Sequence, residues 1–275
     1  MEPTTASRRG SLACVGIGMT LGSHISPLAR SHIEQADVVF AAVSDGIVEL
    51  WLSEMHPDVR SLQLLYSEGT SRMQTYRAMV DVMLTEVRAD KKVVGVFYGH
   101  PGVFVWPSHK AIEIARSEGF VARMEPGISA EDCLYADLGI DPGRYGCQHF
   151  EASQLLLFKR RIDPSAYLIL WQAGVAGDQS LARYSTGAAY RQVLVSRLAR
   201  DYPLDHEIIA YRCATLPIEQ ADVRRLPLCD LAAADVTQEH TLVIPPARRL
   251  TPDRETRARL SVIDVLEKAG GSCPR

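Results

Sequence analysis

The segment at residues 98–105 carries the residue types of a small-molecule binding loop. It has the sequence YGHPGVFV and directly follows a continuous apolar run at residues 93–98. Open α/β sheets bind ligands at the carboxyl ends of such strands, and glycine lets the backbone approach a ligand closely. Tyr98 and Phe104 offer apolar walls. The segment therefore predicts a binding pocket, with a purely structural turn as the alternative.

Other segments at strand ends point to the same crevice. Residues 126–130 repeat the arrangement, with a glycine turn followed by a helix whose first amides can meet a carboxylate. Gln172 follows a further strand, and Thr241 and Leu242 lie on another. Several strand ends that converge on one crevice predict a pocket for a nucleotide-like cofactor.

Residues 66–76, with the sequence YSEGTSRMQTY, are the stretch best suited to charge stabilisation and proton transfer. Arg72 and Tyr76 are four apart, so they share a helix face if Arg72 lies in the first turn. An arginine stays charged and stabilises a developing negative oxygen. A tyrosine, with a reference pKa of about 10, accepts a proton when nearby positive charge lowers that value. The residue types alone nevertheless favour a core Tyr76 and a solvated Arg72.

Alternating strand-like and helix-like segments predict an α/β fold of two lobes. In the first lobe we expect strands at residues 12–17, 37–42, 62–65 and 93–98, and helices at 73–88, 109–117 and 129–138, the last capped by Ser129. In the second lobe we expect strands at residues 167–171, 206–211 and 240–244, and a long helix at 180–200. The predicted divisions are a tail at residues 1–11, an N-terminal lobe at 12–147, a C-terminal lobe at 148–250, and a helix with a tail at 251–275.

Composition narrows the classes of function. The 275 residues contain 30 Lys and Arg against 33 Asp and Glu, a net charge of −3 that argues against a nucleic-acid partner. The six cysteines lack the spacing of zinc ligands or a redox dithiol, so we expect reduced thiols, no metal and a cytoplasmic location. No apolar stretch is long enough to span a bilayer, and we expect no membrane partner. Residues 16–18 form a Gly-x-Gly turn, but Leu21 replaces the third glycine of a dinucleotide fingerprint.

Three longer runs resemble the borosin backbone N-methyltransferases. They are residues 95–105 (GVFYGHPGVFV), 122–133 (ARMEPGISAEDC) and 141–147 (DPGRYGC). The early Gly-x-Gly, the Gly-Pro turn and the two unequal lobes are similar to the wider tetrapyrrole methylase superfamily, which binds S-adenosylmethionine between its lobes. That superfamily usually has an acidic Gly-Asp-Pro where this chain has His100, which favours the borosin branch. The resemblance covers about residues 12–247.

The resemblance implies S-adenosylmethionine as the cofactor and a two-lobed tetrapyrrole methylase-like fold. It implies catalytic roles for Tyr66, Arg72 and Tyr76, which match the family's Tyr…Arg…Tyr motif. The cofactor contacts that it implies are Tyr98, His100, Val103, Phe104, Ser129, Ala130, Gln172, Thr241 and Leu242. In amide methylation Arg72 would stabilise the charged oxygen and one of the two tyrosines would move the proton. Which tyrosine is the base stays open.

Fused borosin enzymes carry a clasp region and their own substrate peptide after the catalytic lobes. This sequence stops soon after the second lobe, so we expect the split form, in which a separate precursor peptide with a leader docks. By the same resemblance we expect a homodimer that binds two precursors. One alternative is a tetrapyrrole or precorrin-type small-molecule methyltransferase. An alternative of another class is a non-catalytic peptide-binding partner, against which the joint presence of Tyr66, Arg72 and Tyr76 argues.

Overall fold

The N-terminal lobe contains a sheet of five parallel strands. The computed structural model describes residues 10–43, 45–67 and 70–270. The strands are β1 (Ser11–Gly16), β2 (Val38–Ala42), β3 (Val59–Ser61), β4 (Lys92–Phe97) and β5 (Val121–Glu125). Their order is β3-β2-β4-β1-β5. The apolar runs of β1, β2 and β4 are buried on both faces, as central parallel strands require.

Helices cover both faces of this sheet. They are α1 (Pro27–Glu34), α2 (Gly46–Met55), α3 (Arg72–Arg88) and α4 (Trp106–Ser117). Leu12 and Cys14 face α3 and α4, whereas Ala13 and Val15 face α1 and α2. Because successive strand residues alternate between faces, one apolar strand serves two cores. Helix α3 therefore has a rigid support, and its first residue is Arg72.

The second lobe is built on a mixed sheet. The remaining elements are α5 (Ala130–Leu138), α6 (Pro142–Tyr145), β6 (Cys147–Glu151), α7 (Ala152–Leu157), β7 (Tyr167–Trp171), α8 (Ala188–Leu198), β8 (Glu207–Arg212), β9 (Asp222–Pro227), β10 (Thr241–Ile244) and α9 (Arg254–Gly270). The strand order is β6-β7-β10-β8-β9, in which β6 and β7 are parallel and the other neighbours are antiparallel. Helices α7 and α8 cover one face. The other face packs against α5, so α5 joins the two lobes.

Two sequence predictions of secondary structure are wrong. The third strand is Val59–Ser61, and the residues that follow, Gln63–Leu65, form a single 3₁₀ turn. Their apolar run alternates between a buried Leu62 and an exposed Leu64 because it leaves the edge of the sheet. The long helix of the second lobe begins at Ala188 rather than at residue 180. Asp178 and Thr186 bind the backbone of the intervening loop and keep it out of a helix.

Strands β6 and β9 were not predicted from the sequence. Strand β9 has the sequence DVRRLP and lies at the edge of its sheet, where half-exposed polar residues are tolerated. Strand β6 begins at Cys147, next to the expected lobe boundary. Of the tail predicted at residues 1–11, residues 1–9 lie outside the described residues and Ser11 begins β1; residues 271–275 at the other end also lie outside them.

Candidate active site

Three glycines bring the carboxyl ends of β1, β4 and β5 into backbone contact. A Cβ on Gly16 would lie 2.4 Å from the Gly99 carbonyl oxygen, and a Cβ on Gly127 would lie 2.2 Å from the same oxygen. Gly99 and Gly18 exchange backbone hydrogen bonds of 2.8 and 3.2 Å, and both have left-handed backbones, with φ of +64° and +76°. Only glycine fits these contacts. The sequence thus fixes a close backbone packing at the edge of the sheet where open α/β folds bind ligands.

The loop after β4 holds the predicted cofactor residues Tyr98, His100, Val103 and Phe104. The Val103 amide donates to the His100 carbonyl at 3.1 Å, and the His100 Nδ1 accepts from the Gly102 amide at 2.8 Å. Phe104 has a left-handed backbone with φ of +56°, yet 51% of the residue is exposed. Such a backbone is costly for a bulky residue and concentrates at ligand sites. The loop therefore holds an aromatic ring at the surface of the lobe.

Ser129 caps helix α5, as the sequence predicts. Its hydroxyl donates to Asp132 Oδ2 at 2.7 Å and accepts from the Asp132 amide at 3.3 Å, which completes a capping box. This hydroxyl is therefore already engaged by the helix. Ala130 is the first residue of α5 and lies partly buried in the apolar cluster between the lobes.

The C-terminal lobe brings Gln172 and Thr241 to one edge of its sheet. Leu242 on β10 pairs with Leu170 on β7 in antiparallel register, so the start of β10 lies beside the end of β7. Gln172 has a left-handed backbone with φ of +56° directly after β7. The Leu242 side chain is fully buried in the lobe's own core, on the face away from α5. Of the two predicted cofactor contacts on β10, Thr241 and Leu242, only Thr241 therefore has a side chain on the face toward the other lobe.

Tyr66, Tyr76 and Tyr98 form one group with Arg72. Burial raises the pKa of Tyr66, the nearby hydroxyls of Tyr76 and Tyr98 raise it further, and the Arg72 charge opposes them. Desolvation raises the pKa of the Tyr98 hydroxyl, and the nearby Tyr76 raises it further. The Tyr76 ring stacks on Trp106 with a centroid separation of 6.5 Å. The structure thus joins the predicted catalytic residues to Tyr98 of the predicted cofactor loop.

Arg72 connects the two lobes. Its backbone amide donates to the Leu181 carbonyl at 2.9 Å, its Nε donates to the same oxygen at 3.3 Å, and its Nη2 lies 3.5 Å from Asp178 Oδ2. Asp178 is buried, and burial alone would raise its pKa. Hydrogen bonds from Ser180 and Arg183, together with the Arg72 charge, lower it below its ordinary value. Arg72 is therefore neither solvated nor isolated. Its anionic partner, Asp178, was not predicted from the sequence.

A second set of residues, which was not predicted from the sequence, supports Phe104. The Phe104 ring contacts the buried Trp171 ring at 5.7 Å between centroids. Trp171 Nε1 lies 3.3 Å from His149 Nδ1, and the two rings stack. His149 Nε2 lies 3.2 Å from the Tyr135 hydroxyl, which donates to Glu131 at 2.8 Å. This chain of contacts connects α5, β6 and β7 beneath the Phe104 loop.

The cysteines in the described residues are free thiols. Cys133 and Cys213 interact across the boundary between the lobes; Cys133 and burial both raise the pKa of Cys213. Within residues 10–43, 45–67 and 70–270, no group of three or more His, Cys, Asp or Glu side chains is placed to hold a metal ion. In the same part of the chain, no helix combines the length and apolar character needed to cross a membrane.

The chain has two lobes, each with its own sheet, and close glycine packing at the carboxyl ends of β1, β4 and β5. Residues 11–232 match the family model of tetrapyrrole (corrin/porphyrin) methylases, and the chain belongs to this family. Within it, the chain belongs to the borosin branch, because its curated relatives are borosin methyltransferase/precursor proteins at about 40% identity. The sequence analysis therefore predicted the borosin family and the two-lobed fold correctly, and both are confirmed.

The similarity to these relatives extends over nearly the whole chain. It is 42% identical over 267 residues to the gymnopeptides precursor methyltransferase of Gymnopus fusipes, which covers 96% of this chain and 64% of the relative. It is 39% identical over 273 residues to a type I borosin cyclic peptide precursor methyltransferase of Coprinopsis marcescibilis, covering 96% and 70%. It is 38% identical over 267 residues to the omphalotin A precursor methyltransferase of Omphalotus olearius, covering 96% and 64%. The chain thus spans about two thirds of the length of these relatives.

Solved structures support the fold. A uroporphyrin-III C-methyltransferase from Thermus thermophilus superimposes with a TM-score of 0.62 at 19% identity, over 90% of this chain and 99% of the other. A cobalt precorrin-4 methyltransferase gives a TM-score of 0.61 at 16% identity, over 87% of this chain and 96% of the other. At these identities the likeness concerns the arrangement of the two lobes alone.

Proposed function

We propose that this methyltransferase uses S-adenosylmethionine to methylate backbone amide nitrogens of a peptide. The grouping of Arg72 with Tyr66, Tyr76 and Tyr98 supports this proposal most directly. An amide nitrogen is a poor nucleophile because its lone pair is delocalised into the carbonyl. A cation that favours charge on the amide oxygen and a hydroxyl that moves the proton are the two groups this reaction needs.

The residues present fit S-adenosylmethionine. The contacts at Gly16, Gly99 and Gly127 keep side chains away from the strand ends, so backbone groups there can meet polar parts of a ligand. Phe104 is held exposed and offers an apolar face to a purine. Gln172 and Thr241 supply polar side chains from the other lobe. When bound, this cofactor supplies an electrophilic methyl group.

Arg72 has the charge and the position to stabilise an imidate-like oxygen. Its guanidinium is a planar cation, and contacts to Leu181 and Asp178 hold its orientation. Preorganised donors of this kind act on the charge that develops in the transition state. A partly buried location strengthens the effect because the local dielectric constant is lower than that of water.

We assign the role of general base to Tyr76 and that of a protonated hydrogen-bond donor to Tyr66. Burial and the neighbouring hydroxyls raise the pKa of Tyr66, so it keeps its proton and can donate a hydrogen bond. Tyr76 lies one helical turn from Arg72 on α3, and its ring is fixed against Trp106. The four-residue spacing places Tyr76 and Arg72 on one face of α3, so a base at Tyr76 and a cation at Arg72 can act on the same substrate amide.

We further propose that the substrate is a separate precursor peptide and that the enzyme is a homodimer that binds two precursors. The names of the relatives combine a methyltransferase with a ribosomally synthesized peptide precursor, which supports a peptide as the substrate. In addition, the described side chains of α9, residues 254–268, are exposed, so this helix packs on neither lobe and can contact a second chain.

Calorimetry followed by turnover tests this function. We expect about one S-adenosylmethionine site per subunit without added metal, and methylation of a borosin-type precursor peptide in trans, read by intact mass. A reduced tetrapyrrole is the comparison substrate, and it should gain no methyl group. Methylation of the tetrapyrrole alone would replace the proposed substrate class, and donor binding without any turnover would favour a non-catalytic partner.

Sedimentation tests the proposed assembly separately. We expect a dimer that binds two peptide chains. A monomer both alone and with precursor would end this part of the proposal while leaving the methyl transfer intact.

A further inference from the structure

Asp178 is a buried carboxylate in the loop that follows β7. Only 3% of the residue is exposed. Its Oδ1 accepts from the Ser180 amide at 3.0 Å and from the Ser180 hydroxyl at 2.6 Å. Its Oδ2 accepts from the Arg183 amide at 3.1 Å and from Arg72 Nη2 at 3.5 Å. Three of these bonds shape its own loop, and the fourth reaches the other lobe.

The loop that Asp178 shapes presents a second acceptor to Arg72. Leu181 has a left-handed backbone with φ of +56°, a conformation that is costly for a non-glycine residue. Its carbonyl oxygen receives both the backbone amide and the Nε of Arg72. Asp178 and Leu181 therefore hold the guanidinium at two points and the start of α3 at a third.

The remaining donors of Arg72 are available for a substrate. A guanidinium has five N–H donors in a fixed plane. Leu181 takes the Nε donor and Asp178 takes one Nη2 donor, whereas Nη1 has no hydrogen-bond partner among the residues that the structure describes. Because the plane is rigid, fixing one edge of the guanidinium determines the direction of the other.

We propose that Asp178 is a positioning residue for Arg72, which aims the free Nη1 edge at the amide oxygen of the substrate. This inference rests on the proposed function. Asp178 itself touches no reacting atom; it acts from the opposite lobe through Arg72. The rate of methyl transfer consequently depends on how the two lobes are held together at this contact. A loop with only a structural role would instead affect stability and donor binding.

The first test is Asp178→Asn, which keeps the size of the side chain and one oxygen for the Ser180 bonds, while an NH2 group replaces the oxygen that accepts from Arg72 and from the Arg183 amide. We expect kcat for the trans peptide to fall about ten- to a hundred-fold, because misplacement by about 1 Å can cost this much. The KM for peptide and the donor affinity should stay close to wild type, and the melting temperature should fall only by the cost of the lost Arg183 bond. Arg183→Ala is the matched control, since it removes an exposed cation beside Asp178 and should leave kcat unchanged.

Asp178→Ser is the second variant, for the case that Asn disturbs the loop. Serine keeps a hydroxyl that can bond the local backbone but cannot reach Arg72, so the same loss of kcat is expected. Normal kcat in either folded variant would overturn the inference. A loss that follows melting temperature or donor affinity would also overturn it and assign Asp178 a structural role.

A double-mutant cycle decides whether Asp178 acts through Arg72. The variant with both Arg72→Ala and Asp178→Asn should be no slower than Arg72→Ala alone, because the positioned group is already gone. Losses that multiply would contradict the inference. Failure of the proposed function is recognised separately: the wild-type enzyme would then not methylate the peptide, or Arg72→Ala would retain its full rate.

Discussion

The two sides of the site are made from different parts of the chain. The proposed cofactor side rests on close backbone contacts, because a Cβ on Gly16 or Gly127 would collide with the Gly99 carbonyl oxygen. The proposed catalytic side rests on side chains, with Arg72 held by Asp178 of the other lobe. Changes on the first side should therefore act on folding and donor binding. Changes on the second side should act on rate.

The largest effect is expected for Arg72→Ala. Loss of a charge-stabilising donor costs on the order of a hundred- to a thousand-fold in kcat, while donor and peptide affinity stay nearly intact. Arg72→Lys should recover little, because it lacks the planar fork that contacts Leu181 and Asp178. Single-turnover methylation measures the rate. Arg77→Ala, an exposed arginine on the same helix, should be normal.

Among changes to the glycine contacts, Gly127→Ala should have the largest effect. The added Cβ would lie 2.2 Å from the Gly99 oxygen and 2.8 Å from the Gly16 Cα, so the two strand ends must separate. We expect the free energy of unfolding to fall by about 3 kcal/mol or more, with loss of donor binding. Gly46→Ala is the control, since a Cβ there meets nothing within 4 Å. Urea unfolding and calorimetry give both quantities, and a stable Gly127→Ala enzyme that binds donor normally would refute the role of this contact.

The roles of Tyr66 and Tyr76 should be distinguishable by how the methylation rates of their variants depend on pH. A general base contributes about a hundred-fold, so Tyr76→Phe should lose this much and flatten the rise of the wild-type rate with pH. Tyr66 keeps its proton because its pKa is raised. Tyr66→Phe should therefore slow the reaction less and keep the wild-type pH profile, and Tyr145→Phe should change neither. The reverse order of the two variants would give the base role to Tyr66.

The smallest effect concerns the left-handed Phe104. Phe104→Ala removes the contact with Trp171 but keeps the backbone cost, whereas Phe104→Gly also relieves that cost. The glycine variant should be more stable than the alanine variant by about 1 kcal/mol, and both should bind donor more weakly. Thermal unfolding with a donor titration measures this. Equal stability of the two variants would show that the backbone carries no cost.

The backbone turns of the proposed cofactor side could be predicted from the sequence because their signals are local. A long apolar strand followed by glycine and proline identifies the turn at Gly99 without knowledge of distant contacts. The catalytic side needed the family resemblance, since residue types alone favoured a solvated Arg72. Its partner Asp178 lies 106 positions further on. The D-x-S sequence of residues 178–180 signals a turn, but nothing local shows that the turn faces α3.

Long-range packing explains the remaining differences. Trp171 was predicted as the end of a strand, yet its contact with Phe104 depends on how the lobes meet. The edge strand β9 escaped prediction because its half-exposed sequence lacks an apolar run. Leu242 was expected to contact the cofactor, whereas its side chain lies in the core of its own lobe. We therefore propose that any contact from Leu242 is made by its backbone.

One measurement tests the central claim most directly. The enzyme is incubated with S-adenosylmethionine that carries an isotopically labelled methyl group and with a borosin-type precursor peptide in trans, and the peptide is fragmented in a mass spectrometer. Fragments should place the label on backbone nitrogens, and Arg72→Ala should transfer almost none. Label confined to side chains or termini, or equal labelling by wild type and Arg72→Ala, would contradict backbone amide methylation at this site.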